Sequence, residues 1–360
     1  RLYMLFIKKV EHTQMIQVSR ATRSNPNKLK EVGGFDLFLK KVFTYMQMKK
    51  KFFAKPKLYV ERVSRSHDDV TLLVKTCAMD SRDIRNTLTH QLNQLTRWDS
   101  FHEILVVVDP HNGEFPRQYT EGNLDALIRE LHEFQRRGQI DRVLVAPDDE
   151  EQIAETNHAW FNLVSSKARS VKGIPVFAQL WGFEQIQTRY VLQMDSDVII
   201  SWRDSAFDFV EDMKKALQAN GDALGAGVNI PWVSIDHDVP WHAEAGKYVP
   251  EVRCGLLDLE RLLENRPYAN YDCSKGLSLT WYRSIERSLV KKGLRCLRGG
   301  SARAFYLHPM NSIKNDQSFL STVVDRVEQG FVPDVQNGEC DLVHAPDAWG
   351  YKRRRESLIV

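Results

Sequence analysis

The sequence is poor in the features that mark several protein classes. In 360 residues, no apolar run approaches the roughly 18 consecutive residues that a membrane-spanning helix needs. The longest candidates, Val70–Val74 and Ile104–Val108, are strand-sized. The opening segment Arg1–Ile7 is too short for a signal-peptide core, and no small-residue cleavage site follows it. Cysteine is scarce, with five at positions 77, 254, 273, 296 and 340. None forms a Cys-x-x-Cys pair, which argues against a zinc or redox site and for reduced thiols in a cytoplasmic protein. There is no internal repeat and no low-complexity tract. What is present, 42% hydrophobic, 27% charged and 10% aromatic residues, is the composition of a globular fold.

The net charge of +3 is unevenly spread. Residues 1–65 hold 16 Lys/Arg against 4 Asp/Glu, so a basic arm of +12 precedes a body of −9. The arm reads as mostly helical, with a broad apolar stripe through Phe35, Leu39, Val42, Phe43 and Met46 after the Gly33-Gly34 break. By charge alone it suits an anionic partner, lipid or nucleic acid, or else a solvated helical face. The basic run Arg353–Arg355 forms a short tail over 351–360.

From about residue 68 the rhythm is strand, helix, strand. Strands are predicted at Val70–Val74, Ile104–Val108, Val143–Ala146 and Tyr190–Met194, with helices of 10–15 residues between them. This alternation predicts an α/β fold: a mostly parallel central sheet covered on both faces. Such sheets bind ligands beyond the carboxyl ends of their strands. The residues expected at that edge are Lys75 and Thr76, Asp109, Asp148 and Asp149, then Asp195, Ser196 and Asp197. The second half is less regular. Trp232–Trp241 reads as a loop, Gly299-Gly300 as a break before a strand at Arg303–Leu307, and Asp316–Gln329 as a helix.

The sharpest motif is Asp195-Ser196-Asp197, directly after an apolar strand. Two acids at i and i+2 repel unless a cation lies between them. A divalent cation there would bridge to a diphosphate.

On these residues the chain resembles the GT-A-type nucleotide-diphospho-sugar glycosyltransferases, most closely the inverting family two and its relatives. The likeness spans roughly residues 68–346. The first strand and its exit through Lys75 and Thr76 resemble the nucleotide-binding opening. Asp109 resembles the acid that meets the base or ribose, and Tyr190–Asp197 resembles the metal- and nucleotide-binding strand. Asn315-Asp316-Gln317-Ser318-Phe319-Leu320 resembles the segment that carries the catalytic base. Three departures touch the donor more than the fold. Gln179-Leu180-Trp181-Gly182 replaces the usual Arg-Asn before a Gly, Asp109 is followed by Pro110-His111 rather than a Gly-Ser run, and Asn315 replaces an acid.

The resemblance implies a GT-A-like domain over 66–350 and metal-dependent transfer of a sugar from a nucleotide-diphosphate donor to an acceptor hydroxyl, with inversion. Mn²⁺ or Mg²⁺ would be held by Asp195, Asp197 and His344. Asp316 would be the base, and Lys75, Thr76, Asp109, Asp195 and Ser196 would hold the nucleotide sugar. Trp232, His237, Trp241 and His308 are the candidate acceptor contacts, because aromatic faces pack on sugar rings. For Asp316 the competing expectation is a helix N-cap, and for His344 a packed histidine. The acceptor would be a glycan or lipid-linked glycan, with the basic arm touching anionic membrane at the cytoplasmic face. No nucleic acid is expected. Two other classes use similar residues. Haloacid-dehalogenase-like phosphohydrolases place Asp-x-Asp on a first strand, and a non-catalytic carbohydrate-binding or scaffold module would be indifferent to loss of Asp197.

Overall fold

The chain divides into two units, Arg1–Val63 and Ser64–Val360. The computed structural model describes residues 65–111, 121–244 and 246–351. The basic arm, the 351–360 tail beyond Tyr351 and the loop after β2 therefore lie outside the described residues.

Twelve strands are described. They are β1 (Arg65–Cys77), β2 (Asp99–Asp109), β3 (Arg142–Val145), β4 (Tyr190–Asp195), β5 (Ile199–Trp202), β6 (Ala223–Gly227), β7 (Asp238–His242), β8 (Cys254–Asp258), β9 (Asp272–Cys273), β10 (Gly276–Leu277), β11 (Arg295–Ser301) and β12 (Ala304–Leu307). The α-helices are α1 (Ile84–Leu95), α2 (Leu124–Arg136), α3 (Glu150–Phe161), α4 (Phe177–Glu184), α5 (Phe209–Ala219), α6 (Leu259–Glu264), α7 (Trp281–Lys292), α8 (Gln317–Glu328) and α9 (Pro346–Trp349).

Eight strands form the central sheet, in the order β3-β2-β1-β4-β8-β6-β11-β7. The pairs β1–β2, β2–β3, β1–β4 and β6–β11 are parallel, while β8 and β7 run against their neighbours. The fold is thus mixed α/β around a large, mostly parallel sheet. Val70, Leu72 and Val74 of β1 point into one core with Leu88 of α1, Leu131 of α2 and Met213 of α5. Leu73, one residue out of phase, points into the other with Trp160 of α3, Phe183 of α4 and Ile285 of α7. Burial on both faces explains why β1 and β2 read as continuous apolar runs rather than alternating ones. Amphipathic helices supply the cover; in α1 the buried Ile84, Leu88, Leu92 and Leu95 recur every three or four residues. A third cluster joins the antiparallel β5–β12 pair to α8 and α9 through Phe305, Leu307, Phe319, Val323 and Trp349.

Two expectations change. The Trp232–Trp241 loop ends in β7, and the glycines taken as a break lie inside β11. Gly300 adopts φ +94°, and a Cβ there would press on the Trp241 ring at 3.1 Å. The paired glycines let β7 close on β11 where any side chain would hold it off.

From β1 in the sheet centre the strand order runs outward to β3 and returns to the other side of β1 as β4. That reversal puts a crevice between the carboxyl ends of β1 and β4.

Candidate functional site

The crevice is built by residues that cap these two strands. Asp195 ends β4 opposite Lys75 of β1, and the Lys75 ammonium donates to Asp195 Oδ1 at 2.7 Å and to the Val252 carbonyl at 2.5 Å. The turn that follows is pinned from three sides. Ser196 N donates to the Lys75 carbonyl at 2.9 Å, and Ser196 Oγ donates to Asp80 Oδ2 at 2.7 Å. Gln91 of α1 donates to the carbonyls of Asp195 and Val198, both at 2.9 Å. Asp80 also accepts from Thr76 Oγ1 and Cys77 N, so one carboxylate ties the exit of β1 to the Asp195–Asp197 turn.

Asp197 meets a different set of partners. Its Oδ2 takes the Lys314 ammonium and lies 3.7 Å from His308 Nε2. His308 is oriented by Asp341 at 3.2 Å, and Asp341 also takes the Arg253 guanidinium at 2.7 Å. Asp197 Oδ1 is buried and accepts no hydrogen bond. Burial pushes the Asp195 carboxyl up, against Lys75 and with Asp197 adding to the rise. Burial acts the same way on Asp197, but Lys314 and His308 outweigh it and hold that carboxyl below its ordinary range. Asp197 is the more firmly ionised of the two.

Lys75, Asp80, Asp195, Asp197, His308 and Lys314 line a cleft of about 390 Å³ that also reaches Asp109, Gln179 and Trp281, while Gln91 and Asp341 support it from behind. A neighbouring cavity of about 320 Å³ shares Asp109 and is lined by Asp148, Lys167, Arg169 and Lys275. The boundary between them is the Asp109–Arg169 ion pair.

The cleft therefore collects Lys75, Thr76, Asp109, Asp195, Ser196, Asp197 and His308 from the sequence-derived set. It does not collect the rest. His344 is exposed and packs edge-on against Phe319 at 5.0 Å, so it does not join the two aspartates. Asp316 is the N-cap of α8, its Oδ1 accepting from Phe319 N at 3.0 Å, and it does not line the cleft. Trp232 and His237 stack on each other at 4.0 Å. Trp241 donates its indole N–H to Asp212 at 3.0 Å and lies against β11. These three half-buried aromatics lie outside the cleft lining.

Sequence reasoning reached Asp80 only as the end of the first strand's polar exit and missed Gln91, Arg253, Lys314 and Asp341. Of these, Asp341 lies three residues before His344.

The orphaned oxygen of Asp197, beside a second carboxylate two residues away, fits a divalent cation. Mg²⁺ and Mn²⁺ need only one or two protein carboxylates when substrate phosphates and water fill the remaining positions. Among the described residues one other group, His67, Asp99 and Asp208, brings three metal-ligating side chains within 4.8 Å of one another. It lies at the amino end of β1, roughly 30 Å along the strand from the cleft. Arg65 already bonds Asp99 there at 2.7 Å.

No protein-family model matches the chain, and no curated protein sequence is similar to it. Among solved structures, residues 1–349 of S. aureus TarS in complex with UDP-GlcNAc match at 13% identity and a TM-score of 0.36, over 64% of this chain and 55% of that one. The same TarS segment in complex with UDP matches at 11% and 0.35, over 64% and 57%. An active-site mutant of LgtC matches at 11% and 0.30, over 54% and 60%. The chain spans about half the length of the first structures it matches. Likenesses this distant add nothing to the site or its chemistry.

Proposed function

We propose that the cleft at the β1–β4 crevice binds a nucleotide-diphosphate sugar and that the protein is a GT-A-like glycosyltransferase. The observation that carries this reading is one of charge and place. Two carboxylates, one with an orphaned oxygen, meet the half-buried Lys75 and the buried Lys314 at the switch point of a mostly parallel sheet, where such folds bind nucleotides.

In this reading Lys75 and Lys314, each paired with an aspartate, bring positive charge to the diphosphate. The nucleoside extends toward Asp109 and Arg169, with the second cavity beyond them. His308, set by Asp341, keeps Asp197 oriented. A divalent cation bound at Asp195 and Asp197 would neutralise charge on the leaving diphosphate. The transfer is a single displacement with inversion. The acceptor oxygen bonds to the anomeric carbon, the bond from that carbon to the diphosphate breaks with its electron pair leaving on phosphate, and the hydroxyl proton passes to a carboxylate of the cleft wall. The basic arm would hold the protein against anionic lipid at the cytoplasmic face while a glycan or lipid-linked glycan is extended.

The test is a thermal-shift panel of nucleotide-diphosphate sugars with and without Mn²⁺. One nucleotide class should raise Tm more with the metal than without it, because a ligand that binds only the native state raises the midpoint. No shift with any nucleotide, under either condition, would remove the reading. For the arm, the full chain should sediment with vesicles containing phosphatidylserine at low salt; failure to do so would remove the membrane assignment alone.

A further inference from the structure

A third cavity lies on the far side of the Asp195–Asp197 turn. It has about 480 Å³ and runs between α1 and α8. Its inner wall is Asp80, Ser196, Asp197 and Lys314, the same four residues that line the cleft from the other side. A molecule in this groove is therefore one layer of side chains from the proposed diphosphate site.

The groove's lining mixes apolar side chains, Ile199, Leu320 and Val324 among them, with a polar set. Here α1 presents Asn86, His90 and Asn93, and α8 presents Gln317, Ser321 and Glu328. The spacings, three or four residues apart along each helix, put each trio on one face. One element is fixed from inside the fold. The Ile200 N–H donates to His90 Nε2 at 3.1 Å, so the ring's proton is on Nδ1 and is donated to Glu328 Oε1 at 2.9 Å. That bond holds Glu328 below its ordinary carboxyl range, with burial opposing. The two cations on the lining are committed: Arg85 grips Glu130 with two bonds of 2.7 Å, and Lys314 is on Asp197.

Carboxamides, hydroxyls and the carboxylates of Asp83, Asp325 and Glu328, beside the apolar Ile199, Leu320 and Val324 and with no uncommitted cation, match a ligand rich in hydroxyl groups and carrying no negative charge. We propose that the α1–α8 groove is a carbohydrate-binding site for a neutral glycan, which supplies the acceptor end to the cleft. The acceptor role rests on the proposed function; the binding of a neutral glycan in the groove does not.

The experiment uses the full chain. Binding of neutral hexasaccharides (cellohexaose, chitohexaose, maltohexaose) and of the acidic oligogalacturonate hexamer is measured by saturation-transfer NMR and calorimetry. The measurements are repeated on Ser321→Trp and Asn93→Trp, two exposed positions on opposite banks of the groove. At least one neutral sugar should bind the unaltered chain and the acidic one should not. Both variants should weaken that binding at least tenfold while keeping the nucleotide-dependent rise in Tm. Equal or better binding of the acidic sugar, unchanged binding in either folded variant, or no binding of any neutral hexamer would overturn the proposal. Loss of the nucleotide response in the unaltered chain, with sugar binding kept, would instead sink the transferase reading and leave the groove standing.

Discussion

The two ends of β1 carry similar side chains to opposite outcomes. At the amino end, Arg65 and His67 meet Asp99 at 2.7 and 2.9 Å, Asp208 lies 3.6 Å from each, and the Asp99 carboxylate is fully buried. Each acid there is answered by a cation and a strand or helix start, which makes the group a clasp between β1, β2 and α5. At the carboxyl end, Asp195 and Asp197 are also answered by cations, but one oxygen is left without a partner and a cleft opens beside it. Counting metal-ligating side chains would favour the clasp. The orphaned atom and the open space favour the cleft, and that is where ligand chemistry is expected.

This contrast predicts where each acid's loss will be felt. The largest effect on stability belongs to the clasp. Asp99→Ala leaves the buried His67 and half-buried Arg65 with only Asp208, 3.6 Å from each, and should cost about 3 kcal/mol by chemical denaturation. Nucleotide binding by the fraction that remains folded should be unchanged. Asp197→Asn should do the reverse: the nucleotide-dependent rise in Tm falls to the noise, a loss of roughly a hundredfold in affinity if the charge carries about 3 kcal/mol. If the Asp99 change weakened nucleotide binding and the Asp197 change did not, the comparison would be upside down.

Smaller effects sharpen the picture. Asp316→Ala removes a helix cap and should lower stability by about 1 kcal/mol. Its effect on any transfer rate should be no more than that loss of fold implies; a rate drop of a thousandfold with the fold intact would restore Asp316 as the base. The smallest change concerns acid. Glu328 is held below its ordinary value of 4.5, chiefly by the bond from His90. A carboxyl depressed in the folded state contributes stability above its unfolded value, and that contribution is lost as pH falls through the folded one. Tm measured from pH 6 to pH 3 should therefore fall less steeply in Glu328→Gln than in the unaltered chain.

Much of the fold is legible in the residues, because buried parallel strands announce themselves. The cores of β1, β2, β3 and β4 and the helices between them lie where apolar runs and periodicity put them. The polar start of β1, Arg65–Asp69, hides its first five residues, of which Arg65 and His67 belong to the clasp. β11 is obscured by Gly299 and Gly300, which serve close approach to β7 rather than a turn. At the site, the Asp195–Asp197 turn is readable because both acids sit at one strand tip. Lys314 and Arg253, which reach the cleft, and Asp341, which holds His308 and Arg253, are not, since each comes from a connection far away in sequence. Asp316 and His344 show the limit of motif reasoning. A short acidic or histidine motif near a helix start is satisfied equally by a cap and a ring contact, and here those local bonds are the ones made.

The most direct test is a crystal of the full chain grown with Mn²⁺ and the nucleotide diphosphate that gives the largest Tm shift. The account predicts diphosphate density beside Lys75 and Lys314, with the metal's anomalous signal against Asp197. A signal at His67, Asp99 and Asp208 instead, with nothing bound at the carboxyl ends of β1 and β4, would contradict it.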